Sequence, residues 1–244
     1  MANHALAVVE AALRARKLDH TLTTALQPLE RVEAAAATGI VPLDAYLAPH
    51  AGGGLPRGQL SDIAGPRSSG RTTLLLQLLA AATRRGEIVA LVDTFDRLDL
   101  SSAVSAHVDL DRLLWIRGHD ISGPQALLDR ILARALKALN LVLQAGGFGV
   151  VALDLADAPG VALSRIPFTT WLRVQRAIEG SETTCVLLGP QPLARSARGL
   201  TLVLAGRPQW AHTSLLAGLD VAVRVVSPRR RVDGDVAISA TLRV

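Results

Sequence analysis

The chain has one cysteine, one methionine, one tyrosine and three phenylalanines among its 244 residues, which narrows its chemistry at once. The lone Cys185 excludes a disulfide framework and a cysteine-based metal site, and it suits a reducing compartment. Aromatic residues at 3% argue against a platform on which successive bases of a single strand would stack. No apolar run reaches the ~18–20 residues that a membrane-spanning helix needs. The longest, Leu74–Ala82, contains Gln77 and is flanked by arginines. Near the start, Glu10 and two arginines interrupt what would have to be a signal-peptide core. The expectation is a cytoplasmic protein with no membrane contact.

What is present points to a folded domain. Hydrophobic residues make up 50% and charged residues 19%, a balance that excludes intrinsic disorder. The length is ordinary for one large α/β domain. Lys+Arg at 26 against Asp+Glu at 21 gives a net charge of +5, nearly all of it arginine. That excess is compatible with nucleic acid or an acidic partner. Arginine and alanine enrichment also follows from a GC-rich genome, so both explanations stay open.

Residues 2–17 predict an amphipathic helix, with Leu6, Val9 and Leu13 on one face and Arg14, Arg16 and Lys17 at its C-terminal end. Residues 1–37 are expected to form this helix and a linker arm, and residues 38–244 the core. The apolar stripe either caps the protein's own core or contacts a partner. From Thr38 onward strands alternate with helices. Strands are expected over Gln59–Ala64, Ile88–Val92, Leu113–Ile116, Val150–Leu153 and Cys185–Leu188. Helices are expected over Arg71–Arg84, about Pro124–Leu143 and Phe168–Ile178, the second with Leu128, Leu132, Ala135, Leu139 and Leu143 on one face. Three further strands, Leu200–Leu204, Val221–Val226 and Val236–Leu242, follow without a long helix between them. In the last, Val236, Ile238, Ala240 and Leu242 alternate with polar positions, as on a half-exposed antiparallel edge. The fold class is α/β: a mostly parallel central sheet flanked by helices, with a β-rich C-terminal end.

The stretch Gly65-Pro66-Arg67-Ser68-Ser69-Gly70-Arg71-Thr72-Thr73 carries the clearest chemistry. A strand precedes it and a helix follows, the context a phosphate-binding loop requires. Its glycines let successive N–H groups turn inward toward phosphate oxygens, and the helix adds its positive N-terminal end. Thr72 would place its hydroxyl on Mg²⁺. Arginine stands where lysine belongs, and the planar guanidinium of Arg71 either pairs with a phosphate, sits outside the cradle or blocks it. Asp154 closes the apolar strand Val150-Val151-Ala152-Leu153 where a magnesium-side carboxylate would emerge. Both features also have plain structural explanations, since Gly/Ser loops often join strands to helices and an Asp after a strand often starts a turn.

Other candidates are weaker. Arg229, Arg230 and Arg231 form either a solvated turn or a contact to DNA phosphate or an acidic partner. Trp115 and Trp171 are expected in the core. Trp210, in an expected loop over Gly206–Thr213, is a partner anchor or a core cap. His107, His119 and His212 show no metal spacing.

Thr38-Gly39 before Leu43-Asp44, the cluster Gly52-Gly53-Gly54 leading to Leu55-Pro56-Arg57-Gly58, and the loop Gly65–Thr73 together resemble the RecA-type recombinases. The resemblance covers about Thr38–Arg230. Among RecA-like proteins the chain is most similar to the ImuA family of bacterial translesion-synthesis operons, which lacks RecA's C-terminal domain. The resemblance implies a RecA-like P-loop core, ATP and Mg bound with low affinity, and contacts with RecA and an ImuB-type polymerase-like partner in the SOS response. Non-specific DNA contact is a further implication. Departures matter as much. Phe95 occupies the position expected for the catalytic Glu, with Asp93 and Asp96 as poor stand-ins, so no catalytic residue is assigned and at most a weak ATPase is implied. RecA's DNA-binding loop corresponds to a shortened Leu155–Ile166, and Gln191, bracketed by prolines, is displaced from the nucleotide-sensing position. The expected mechanism is mimicry: docking on a RecA protomer through the N-terminal helix. Two rival functions are a DNA-stimulated ATPase acting as a RecA paralogue in recombination and a SulA-type cell-division inhibitor.

Overall fold

Alternate residues of a strand face opposite ways, and the apolar runs of this chain use both directions. Leu91, Ala152, Val186 and Leu188 join one hydrophobic cluster, while Ala90, Val92, Val151, Leu153, Cys185 and Leu187 join another. A sheet with two apolar faces must be covered on both sides, which is the arrangement found.

The computed structural model describes residues 34–119, 125–194, 196, 198–211, 215–227 and 232–241. Leu6, Val9, Leu13, His212, Arg229, Arg230 and Arg231 lie outside the described residues. Strands β1 (Ala35–Ala36) and β2 (Leu55–Pro56) form a small antiparallel pair around helix α1 (Val41–Ala51). The main sheet contains β3 (Leu60–Ala64), β4 (Val89–Asp93), β5 (Leu113–Arg117), β6 (Val150–Asp154), β7 (Thr184–Gly189), β8 (Thr201–Ala211), β9 (Leu215–Ser227) and β10 (Val232–Thr241). Its order is β10-β9-β8-β3-β7-β6-β4-β5. Neighbours from β5 through β8 are parallel, and β9 and β10 add antiparallel. The fold is α/β as expected.

Parallel neighbours need crossover connections, and helices supply them. Helix α2 (Arg71–Arg84) joins β3 to β4 and packs on one sheet face with α1; its buried residues include Leu74, Leu75, Leu78 and Leu79. Short α3 (Leu100–Ser105) precedes β5. Helix α4 (Gln125–Ala145), short α5 (Gly160–Ser164) and α6 (Phe168–Ile178) cover the opposite face. The stripe Leu128, Leu132, Ala135, Leu139 and Leu143 is buried as the 3.6-residue period predicts. No helix among the described residues is long and apolar enough to cross a membrane.

Two aromatic expectations need correction. Trp210 is not in a loop: β8 runs on through Ala211 and pairs Trp210 with Leu216. This part of β8 lies mostly open to solvent, so it shows no apolar alternation that would betray a strand, and Trp210 is 59% exposed. Trp115 is only partly buried, because β5 is an edge strand. Its indole N–H donates to Asp93 at 3.1 Å, and the Arg117 guanidinium lies 4.6 Å from its ring centroid. Trp171 is in the core as expected.

Two leucines of α4 test this packing. Leu139 is fully buried and Leu141 is 57% exposed. Leu139→Ala is expected to lower stability by about 2–5 kcal/mol, and Leu141→Ala to change it by less than about 0.5 kcal/mol. Urea denaturation measures both; equal losses would mean that the helix is rotated from the position described.

Candidate functional site

Strand β3 is buried along its whole length and delivers the chain to Gly65 at the C-terminal edge of the sheet. A Cβ at Gly65 would run into Ser69 Oγ and the Leu204 carbonyl oxygen, so the loop can fold back this tightly only with glycine. Ser68 (φ 58°) and Gly70 (φ 87°) then take left-handed conformations, and the Ser69 N–H donates to the Pro66 carbonyl at 3.3 Å. Gly70 is the N-cap of α2 and brings no capping side chain. Among the described residues no side chain caps the first-turn N–H groups, which stand at the positive end of the helix. Ser69 is buried and its hydroxyl has no hydrogen-bond partner among the described residues. An orphaned hydroxyl beside an uncapped helix start suits an anionic oxygen.

Arg71 lies inside this loop. Its guanidinium is buried, donates from Nη1 to the Gly65 carbonyl, and donates from Nη2 to the Ala156 carbonyl at 3.0 Å. The side chain is a strut between the loop and the segment after β6. Burial lowers its pKa, opposed by the negative charge of Asp154 and Asp157. Asp154 stands at the end of β6, opposite Asp93 in the β4–β6 ladder, and accepts from the Ala156 N–H at 2.8 Å. Burial pushes its carboxyl up to about 6, and Asp93 adds to the shift, against the Ala156 bond and Arg71.

A cavity of about 90 Å³ separates these groups, lined among others by Arg71, Thr72, Asp93, Phe95, Asp154 and Asp157. Thr72 and Asp154, far apart in the chain, thus meet at one space. Pro66, Arg67 and Ser68 are exposed on the outer side of the loop. Thr73 lines a different cavity of about 270 Å³, with Gly39, Leu204, Leu219 and Ile238. Across the mouth, Asp157 pairs with Arg67 at 3.3 Å and with Arg97 at 3.5 Å. The sequence reading missed Asp157 and Arg97, and no spacing signal joins Arg67 to a carboxylate ninety positions away.

Phe95 is buried in the cluster under α4, leaving 2% exposed. The carboxylates beside it are committed elsewhere. Asp93 accepts from the Arg97 and Leu98 N–H groups at 2.8 and 2.9 Å as well as from Trp115. Asp96 receives two bonds from Arg117, each 2.7 Å, and that guanidinium holds its carboxyl below the usual range. Gln191 is exposed and does not line the cavity. The Thr38–Asp44 stretch is a clasp: the Asp44 carboxylate accepts from the Thr38 N–H at 2.8 Å, the Thr38 hydroxyl at 2.7 Å and the Gly39 N–H at 3.0 Å.

Comparison with known proteins fits this geometry. The model of the RecA N-terminal domain matches residues 19–156, a span that holds the whole loop and Asp154. Protein RecA of Acidothermus cellulolyticus is 34% identical over 155 residues, covering 64% of this chain and 40% of the relative. Protein RecA of Chlorobium chlorochromatii is 31% identical over 168 residues, covering 63% and 44%. The chain therefore spans less than half the length of these curated relatives. The crystal structure of the RadB recombinase matches 84% of this chain and 94% of its own, with a TM-score of 0.56 and 19% identity, which shows a shared fold.

The Asp154 carboxyl makes a prediction with a definite sign. Its pKa in the fold, about 6, lies above the ordinary 3.8, so its protonated form is favoured by folding. The stability it contributes is complete below the ordinary value and is lost as pH rises through about 6. Asparagine stays neutral and keeps an acceptor for the Ala156 N–H. Asp154→Asn is therefore expected to be more stable than the parent at pH 8, by about 1–3 kcal/mol, with the advantage gone at pH 4. Melting without ligand across that range checks it; an asparagine variant less stable at pH 8 would show that Arg71 neutralises the carboxylate in full.

Proposed function

Because the chain belongs to the RecA N-terminal domain family, we propose that it is an accessory protein of the bacterial DNA-damage response that acts by binding, not as a recombination motor. One observation carries this reading. Where a water-activating carboxylate is needed, Phe95 is buried, and its neighbours Asp93 and Asp96 are held by structural hydrogen bonds. Asp93, the carboxylate of β4 that lines the cavity, is already an acceptor for three donors, so it is poorly placed to take a proton from water. The finer assignment is to the ImuA family of RecA-like proteins, with RecA and an ImuB-type protein as partners, in support of error-prone translesion synthesis. DNA contact in this reading is electrostatic and independent of base sequence.

The residues present suit ATP and magnesium as a ligand, with low affinity. When bound, the nucleotide would supply a polyphosphate and its cation, and no hydrolytic step is assigned. The loop N–H groups and the orphaned Ser69 hydroxyl would take phosphate oxygens, while Thr72 and Asp154 would face the cation. Arg71 weakens the fit, because its guanidinium is already bonded to two carbonyls that a phosphate would have to replace or bypass. The same loop favours a second reading, a DNA-stimulated ATPase acting as a RecA paralogue.

Turnover separates the two. The accessory reading expects weak binding of a fluorescent ATP analogue with magnesium and no hydrolysis above background, with or without DNA. A kcat in the ordinary enzyme range, about 1–10³ s⁻¹, would establish the ATPase. Arg71→Lys is expected to tighten binding about tenfold, roughly 1.4 kcal/mol, since a lysine ammonium is slimmer and more easily redirected to phosphate. Unchanged affinity would show that Arg71 does not limit the site. For the partner, deletion of residues 1–20 is expected to abolish RecA binding while leaving the melting temperature unchanged. Persistent RecA binding would move the contact to the core.

A further inference from the structure

The net charge of +5 has a location. Helix α4 carries Arg130, Arg134 and Lys137 against a single acid, Asp129. Residues 160–178, from α5 through α6, carry Arg165, Arg173 and Arg176 and no acid. Six cations against one carboxylate equal the net charge of the whole chain, so all the remaining residues together are neutral.

These charges form a surface. Arg130, Arg134, Lys137 and Leu141 recur at helical spacing along the exposed side of α4, opposite the buried stripe through Leu139. On α6, Arg173 and Arg176 lie on the exposed side with Phe168 and Leu172, opposite Trp171, Val174 and Ile178. The two helices pack against one another on the same sheet face. Arg165 pairs with Asp129 at 3.6 Å, but among the described residues the other five cations form no ion pair. From Arg130 to Lys137 the row spans about 10 Å at the helical rise, and the helices stand roughly 8–10 Å apart. Unpaired charges of one sign at these separations repel across a Debye length of about 8 Å, and a polyanion relieves that repulsion.

We propose that the outward face of α4 and α6 binds the phosphate backbone of duplex DNA. The inference deepens the DNA contact of the proposed function and rests on it. A duplex fits better than a single strand, because Phe168 alone offers no stacking platform. A protein partner fits less well, since the fully buried core of a protein interface is depleted in charged residues. The face meets phosphates and no base edges, so it carries no sequence preference.

The test uses the full chain and a fluorescein-labelled duplex of mixed sequence, read by anisotropy across a potassium chloride series. Five phosphate contacts predict a log–log salt slope near −4.5, at about −0.9 per contact. Arg130→Gln, Arg134→Gln and Lys137→Gln together are expected to flatten the slope by about 2.7, and Arg173→Gln with Arg176→Gln by about 1.8. Melting temperatures should match the parent, since every changed side chain is exposed. Parental affinity and slope in both variants would overturn the surface while leaving DNA binding intact, as would a loss that follows Arg229, Arg230 and Arg231→Gln instead. No duplex binding by the parent would overturn the DNA reading and this inference together. Binding of poly-glutamate in place of duplex, lost in the same variants, would overturn it in favour of an acidic protein partner.

Discussion

The site depends on one buried cation. A guanidinium removed from water needs acceptors, and Arg71 finds them in the Gly65 and Ala156 carbonyls, one in the loop and one beyond β6. The bond to Gly65 fixes the start of the loop, and the bond to Ala156 fixes the first residues beyond β6. These two segments come from strands separated by β7 in the sheet, so the strut reaches across a neighbouring strand. Its charge also stands beside the Asp154 carboxyl, which the same burial pushes toward its neutral form. Arg67 and Arg97 repeat the arrangement at the mouth with Asp157 between them. Carboxylates and carbonyls of the protein thus occupy guanidinium groups that could otherwise pair with an external anion. The loop is braced by bonds to its own chain.

The sheet explains why these groups converge. In a parallel sheet every strand ends on the same side, and the segments that leave those ends gather along one edge. Gly65, Phe95 and Leu155 each begin or lie in the segment that leaves β3, β4 and β6. The twofold covering of the sheet sends alternate side chains into two separate cores, so the strands have little freedom to slip: a shift of one residue would exchange the two sets. Register is therefore strongly determined in the parallel part. In the far reach of β8 and β9, where neither face is well buried, the pairing carries a shift between Gln209 and Trp210.

Legibility in the sequence follows the same division. Strands β3 to β7 and helices α2, α4 and α6 could be read within a residue or two, because burial on both faces writes continuous apolar runs and burial on one face writes a helical stripe; α1 and the short α3 and α5 were not read. The limits of α2 and α6 agree with the expected ones. Of β8 and β9 only the buried parts, Leu200–Leu204 and Val221–Val226, could be read, since the exposed extensions carry no period. Gly65–Thr73 and Asp154 were visible as motifs because their chemistry is local to a few positions. The role of Arg71 was not, because its partner Ala156 lies 85 positions away and is a backbone carbonyl, which leaves no mark on residue identity. Asp157 was hidden for a related reason: an aspartate in a polar turn looks the same whether or not two arginines from other segments reach it. Thr38-Gly39 and Asp44, read as a family signature, prove to be a clasp at the start of α1, so part of the likeness is structural and not catalytic.

Phe95 belongs both to the cavity lining and to the core. The position after β4 is close enough to the cavity to line it and also deep enough to join the cluster beneath α4. A carboxylate there would have to keep its charge against Asp93 and the nearby Asp154, whose own carboxyl is already pushed to about 6. A third acid in that space would raise the desolvation and repulsion further. A phenyl ring removes the conflict and contributes apolar burial of about 1.5–3 kcal/mol. Phe95 therefore stabilises the core beside the cavity it lines. With Asp93 then needed as an acceptor for the Arg97, Leu98 and Trp115 N–H groups, placing a glutamate at position 95 would add a charge without adding a network to hold it. In the accessory reading proposed above, the lack of a free base after β4 rests on several linked contacts, and one substitution does not undo them.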